Sequence, residues 1–217
     1  ALGVMSCYTA ISGLVKAELF PAHIRALGVG LPYGIAVSVF GGRAESIRLA
    51  FHIGDIPFED ERWSFPEFGQ KRGGTPFNAV PVLTIDGVTV TQSNAMNRYV
   101  GKLAGLYPED ALQALFCDEV MDAVEDIAHQ IGRTFGLKGD AMREAREALM
   151  KGPLTTGLKG LDGLLTRGGG KYFADGRLTV ADLKAAVQVR SLQSGQLDHV
   201  PRDFVESVAP NIAAHAA

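Results

Sequence analysis

Residues 76–99 read PFNAVPVLTIDGVTVTQSNAMNRY, and this stretch decides how the chain folds. Asp86-Gly87 separates two apolar, β-branched runs and supplies the positive φ angles of a two-residue hairpin, so the runs pair antiparallel. Pro81 opens the first strand, where its missing N–H does least harm, and an X-Pro bond is the one peptide bond that adopts cis at an appreciable rate. A cis bond there turns the backbone of Val80 outward, free to pair with an extended, peptide-like guest. Gln92, Ser93 and Asn94 form a helix entry, and the helix is expected to run from about Ser93 to Leu103. The Ser93 hydroxyl and the first free N–H groups of that helix suit a carboxylate. The same spacing is also that of a plain hairpin followed by an ordinary serine N-cap.

On the N-terminal side, residues 43–53 carry Ala44, Ile47, Ala50 and Phe51 at helical spacing, with Gly54 as the left-handed stop. Residues 56–63 read as a short, partly charged strand, followed by an irregular stretch through Pro66 and the loop Lys71-Arg72-Gly73-Gly74. On the C-terminal side, Gly105-Leu106-Tyr107-Pro108 marks a linker. Beyond it the pattern is helical throughout. Residues 109–135 form a long helical segment whose apolar stripe is Ala111, Leu112, Leu115, Phe116, Val120, Val124 and Ile127. Residues 141–150 continue the theme, Gly152-Pro153 restarts it, and Thr179 with Asp182 resembles a capping box, Asp standing for the more usual Glu. The order predicts an α+β N-terminal domain over residues 35–105 and an all-helical domain over residues 109–217. A hairpin with one further strand is a thin sheet, and the β-branched run at residues 35–40 is the available first strand.

The 217 residues are 47% hydrophobic and 21% charged, enough apolar material for a sizeable core. A net charge of −3 offers no basic field for nucleic acid or an anionic membrane surface. Cys7 and Cys117 make neither a disulfide framework nor a metal-ligand spacing, so no metal is expected and a reducing, cytoplasmic setting fits. Cys117 reads as helix packing, His52 as a partner for a helix C-terminus, and His129 as a helix-surface group.

Residues 1–42 differ from the rest. Lys16, Glu18 and Arg25 are their only Lys, Arg, Asp or Glu residues, and residues 26–40 are uncharged and rich in glycine. That run is shorter than the ~20 residues a bilayer-spanning helix needs, so no membrane association is expected. The words SGLVKAELFPAHIRALGVGLPYGIAVSVFGG, centred on Glu18-Leu19-Phe20-Pro21, Ile24-Arg25-Ala26 and Gly28, resemble a loop and helix pair of major facilitator superfamily metabolite:proton symporters. The atypical apolar segment, with residues 1–34 as a transporter-like extension, reads as a fusion or a misjoined fragment.

A second resemblance covers residues 42–214. GRAESIRLAF, TPFNAVPVLTIDG, TQSNAMNRYVGKLAGLYP and FADGRLTVADLK are similar, in order and spacing, to a cytosolic glutathione transferase, nearest the sigma-like, tyrosine-type branch. The resemblance implies a thioredoxin-like N-terminal domain, glutathione as co-substrate, a small apolar electrophile as second substrate, a homodimer and a role in detoxification. It implies that Val80 pairs with the cysteine of glutathione beside a cis-Pro81, and that Gln92 and Ser93 hold the γ-glutamyl end. Asp126 matches the acidic residue that reaches across the dimer to the γ-glutamyl amine, and otherwise reads as a solvated helix carboxylate. Phe68 and Arg72 align with the tryptophan and lysine that flank the glycine end, while Trp63 lies too early to serve. Arg43 matches an arginine supporting the thiol site.

The departure is at the catalytic centre. The branch places a tyrosine at the end of the first strand, where its hydroxyl lowers the glutathione thiol pKa. Val37 or Val39 falls there instead, and Tyr33 is several residues early. Ser38 is the remaining hydroxyl and the candidate donor. A free thiol is only a few per cent thiolate at neutral pH, so losing the donor impairs activity while leaving binding possible. The alternative reading is a non-catalytic glutathione-binding or dimeric interaction module.

Overall fold

A computed structural model describes residues 42–217. The expected strand at residues 35–40, the transporter-like extension, and with them Ser38, Val37, Val39 and Tyr33, lie outside the described residues.

The first described helix, α1 (Gly42–Ile53), buries Ile47, Leu49, Ala50 and Phe51. The left-handed residue that ends it comes one position later than the sequence predicts, at Asp55 with φ 52°. Gly54 is required for a different reason: a Cβ there would lie 2.6 Å from Ala104 Cβ, where the end of α1 touches the end of a later helix.

No strand forms at residues 56–63. A strand is held by a ladder to a neighbour, and among the described residues this segment is instead fastened back onto α1. The Ile56 N–H donates to the Phe51 carbonyl at 2.9 Å, Phe58 stacks on Phe51 at 4.8 Å, and Arg48 and Arg62 both reach Asp60 at 2.7 Å. The stretch read as irregular contains α2 (Phe65–Lys71), opened by a capping box between Ser64 and Glu67 with a proline in its first turn. Ser-x-x-Glu is the usual sequence signature of that start.

The hairpin forms as expected. Strands β1 (Leu83–Ile85) and β2 (Val88–Val90) pair antiparallel with Leu83 opposite Val90 and Ile85 opposite Val88. Asp86 and Gly87 between them take φ 50° and 82°. Pro81 precedes β1 by two positions rather than opening it. Among the described residues the sheet has these two strands.

The remaining helices are α3 (Ser93–Leu103), α4 (Ala111–Gly132), α5 (Gly139–Lys151), α6 (Pro153–Arg167), α7 (Val180–Gln193), α8 (Phe204–Val208) and α9 (Pro210–His215). One apolar core joins α1, α3, α4, α6, α7 and the two short C-terminal helices. Helix α3 lies close against α7 because Gly101 has no side chain; a Cβ there would sit 2.8 Å from Val180 Cγ1. The α3–α4 connection is pinned to the same place, where the Leu106 carbonyl accepts from Val180 N–H at 2.9 Å.

Helix α4 corrects the expected stripe. Its buried residues are Cys117, Val120, Met121, Val124, Ile127 and Ile131, whereas Leu112 and Leu115 are 54% and 60% exposed. Followed along the helix, the Leu112–Leu115 side continues into Glu119 and Asp122, so it is a separate apolar patch rather than the top of the core stripe. The capping box of α7 is present and buried: Asp182 accepts from the Thr179 N–H and hydroxyl at 2.8 Å and from Phe173 N–H at 3.0 Å. Among the described residues no helix is long and apolar enough to cross a membrane, and no group of three or more His, Cys, Asp or Glu side chains gathers as a metal site.

Candidate functional site

Four helices meet at the N-terminus of α3. Gln92, the residue before it, is exposed and sits at φ 71°, ψ 103° without a side-chain cap. A bulky residue at positive φ is uncommon and is held there by its surroundings. Its carbonyl accepts from Met96 N–H at 3.1 Å, starting the helix. Ser93 follows, buried at 7% exposure. Upstream, the Val80–Pro81 bond is cis, and the Val80 backbone makes no hydrogen bond to any other described residue.

Behind Ser93 lies a charged cluster that sequence reasoning missed. Glu125, in the middle of α4, accepts from Arg43 Nε of α1 at 2.5 Å through one oxygen. Its other oxygen lies 3.0 Å from Lys184 Nζ of α7. The Lys184 side chain is only 5% exposed. Its ammonium also contacts Asn94 Oδ1 and lies 3.5 Å from Ser93 Oγ. An ammonium has three protons, and these three oxygens are its acceptors. The Ser93 hydroxyl in turn points toward Glu125 Oε2 at 3.5 Å.

The electrostatics follow from this packing. Burial works to raise the Glu125 pKa, but the charges and hydrogen bonds of Lys184 and Arg43 outweigh it and hold the carboxyl below its usual value. Burial draws Lys184 below the ordinary lysine value against the attraction of Glu125. Two cations meet the Glu125 carboxylate, and Asn94 Nδ2 donates onward to a second carboxylate, Asp122, at 2.6 Å; the Ser93 hydroxyl has the Lys184 ammonium behind it and lies at the positive end of the α3 dipole. That arrangement favours an anion at Ser93.

The other residues singled out in the sequence fall as follows. Arg43 belongs to the cluster. Asp126 is exposed on α4, while Glu125, one residue earlier, is the carboxylate next to the serine. Phe68 is half-buried on α2, and Arg72 is exposed in the 3-10 turn that follows. Trp63 is held locally, its indole N–H donating to Glu61 Oε1 at 2.7 Å while Lys71 lies 5.1 Å above its ring. Lys71, rather than Arg72, pairs with Glu61, at 3.1 Å. Cys117 is buried on α4, and burial raises its thiol to about 11, an unreactive value at neutral pH. Glu125 and Lys184 carry no local motif. The surviving signal is their position: Lys184 lies two residues past the capping-box aspartate, one helical turn into α7.

Residues 125–216 match the family model for the glutathione S-transferase C-terminal domain. Glutathione S-transferase 3 of Caenorhabditis elegans is 30% identical over 167 residues, which cover 75% of this chain and 81% of that protein. Among solved structures, prostaglandin synthase D of Nilaparvata lugens superposes with a TM-score of 0.66 at 28% identity, covering 81% of this chain and 92% of that one. The chain belongs to the glutathione S-transferase family. A separate, short likeness links it to the alpha-ketoglutarate permease of Escherichia coli strain K12, 58% identical over 50 residues, or 23% of this chain and 12% of the permease.

Proposed function

We propose that this chain is a sigma-like transferase that joins the thiol of glutathione to small apolar electrophiles. In this reading the γ-glutamyl carboxylate is held by Ser93 and Gln92, and the backbone of Val80 beside Pro81 pairs with the cysteine of glutathione. Phe68 and Arg72 flank the glycine end. The observation that carries the reading is the buried Ser93 at the head of α3, backed by Arg43 and Lys184. Ser38 is the proposed thiol donor, acting in place of the absent tyrosine with reduced activity, and Arg43 supports the thiol site.

The same reading makes the protein a cytoplasmic homodimer, with Asp126 reaching the γ-glutamyl amine of the neighbouring subunit. Its exposure on α4 suits that role. The apolar residues Phe77, Leu103, Leu112 and Leu115, each more than half exposed, supply surface for such an interface. No metal takes part. The 50-residue likeness to a permease supports reading residues 1–42 as a fused transporter fragment.

One sequence observation favours a second reading. Valine stands at both positions available to the first-strand tyrosine, so a non-catalytic glutathione-binding module accounts for the same binding residues. Turnover of a chromogenic aryl halide with glutathione separates the two. Conjugation that falls in Ser38→Ala supports the transferase reading. Retention on immobilised glutathione without turnover supports the module, and absence of both retention and turnover contradicts each.

A further inference from the structure

Lys184 is a deeply buried cation behind Ser93 to which the reading above gives no contact with the ligand. It reaches the site from α7, 91 positions beyond Ser93 in sequence. Its three acceptors are Glu125, Asn94 and Ser93, so one ammonium ties the head of α3 to α4 and α7. A lysine side chain held at 5% exposure gives up its hydration and its rotamer freedom. A neutral side chain of similar length would fill the same space without that cost.

The hydrogen-bond directions indicate what the charge does. An ammonium can only donate. At 3.5 Å from Ser93 Oγ it approaches a lone pair of the hydroxyl, which leaves the hydroxyl proton to point elsewhere. That proton is aimed at Glu125 Oε2, also 3.5 Å away. Both contacts are long, so the hydroxyl exchanges that weak acceptor for a ligand carboxylate at little cost. Lys184 thus fixes Ser93 as a donor and adds a positive field behind it. Arg43 holds the opposite oxygen of Glu125 and keeps that carboxylate from swinging into the ligand's place.

We propose that Lys184 is a positioning residue that sets the specificity of this site for the α-carboxylate of the γ-glutamyl group, acting through Ser93 and Asn94 rather than by touching the ligand. The proposal rests on the glutathione reading above. It assigns to α7 a share in recognition at the head of α3.

Two truncated ligands separate this role from a structural one. Glutaryl-cysteinylglycine keeps the carboxylate and lacks the amine, whereas 4-aminobutanoyl-cysteinylglycine keeps the amine and lacks the carboxylate. Calorimetric binding of glutathione and both analogues is measured on the full chain, on Lys184→Met and on Lys184→Gln, with circular dichroism and thermal unfolding as folding controls. Lys184→Met is expected to weaken glutathione and the glutaryl analogue by about tenfold, the scale of one charge-assisted contact, and to leave the aminobutanoyl analogue within about twofold. Lys184→Gln, which keeps a donor and loses the charge, is expected to fall between, and it provides the reading if the methionine variant does not fold. Equal weakening of all three ligands, or none, overturns the proposal while leaving the glutathione reading intact. Failure of the unsubstituted chain to bind glutathione overturns both.

Discussion

Arg43 Nε and Glu125 Oε1 lie 2.5 Å apart although 82 positions separate them in sequence. This pair joins the first described helix to the middle of α4, and Lys184 completes it on the other oxygen. Replacing Glu125 by Gln leaves Lys184 buried beside Arg43 without its nearest counter-charge, only Asp122 remaining on the far side of Asn94. The expected loss is about 2–3 kcal/mol of unfolding free energy, below the usual cost of breaking a fully buried pair because Glu125 retains some exposure. Urea unfolding of the variant checks it, and a loss indistinguishable from zero shows that the cluster is not coupled to the fold.

Gly54 offers a test of close packing. A Cβ at that position meets Ala104 Cβ at 2.6 Å and Ala104 Cα at 2.9 Å. Gly54→Ala is expected to cost about 1–3 kcal/mol, the range of an overpacked core. The double variant with Ala104→Gly should recover part of the loss, since it removes the nearer of the two clashes. No recovery would point to backbone conformation rather than contact.

The buried capping box of α7 predicts an ordering between two variants. Asp182 accepts from the Thr179 N–H and hydroxyl and from Phe173 N–H, whereas Thr179→Ala removes only one of those bonds. Thr179→Ala should cost about 1–2 kcal/mol and Asp182→Ala clearly more, since the latter orphans buried donors. Equal losses, read by denaturant midpoints at constant slope, would contradict the assignment.

His215 gives the pH dependence. Its ring lies 3.4 Å from Asp182, and burial draws its pKa below the ordinary 6.5 despite the attraction of that carboxylate. The imidazole therefore binds a proton more readily in the unfolded chain, so stability falls as the pH drops below 6.5 toward the lower folded value. Asp182, raised by burial, contributes in the opposite direction at lower pH. His215→Gln should flatten the slope of stability as the pH falls from neutral through 6.5. An unchanged slope would mean that other groups carry it.

Much of this was legible wherever the signal is local. Asp86-Gly87 dictated the hairpin through its φ angles, Thr179 with Asp182 dictated the start of α7, and Gln92-Ser93 marked the start of α3. Ser64 and Glu67 carried an equally plain capping signal for α2, hidden by the adjacent proline and the glycines that follow. Residues 56–63 and the α4 stripe were not readable in the same way, because a strand depends on its neighbour and periodicity does not say which of two apolar sides meets the core. Leu112 and Leu115 satisfy the spacing and still face outward. The pairing of Glu125 with Lys184 behind Ser93 was beyond local reading, since the two meet only because four helices converge there.

Direct titration of the full chain with glutathione, beside Ser93→Ala, tests the central claim most directly. The account predicts saturable one-to-one binding by the unsubstituted chain and a loss of about tenfold or more in the variant, the cost of one hydrogen bond to a charged group. Binding that is absent, or that Ser93→Ala leaves unchanged, would contradict it.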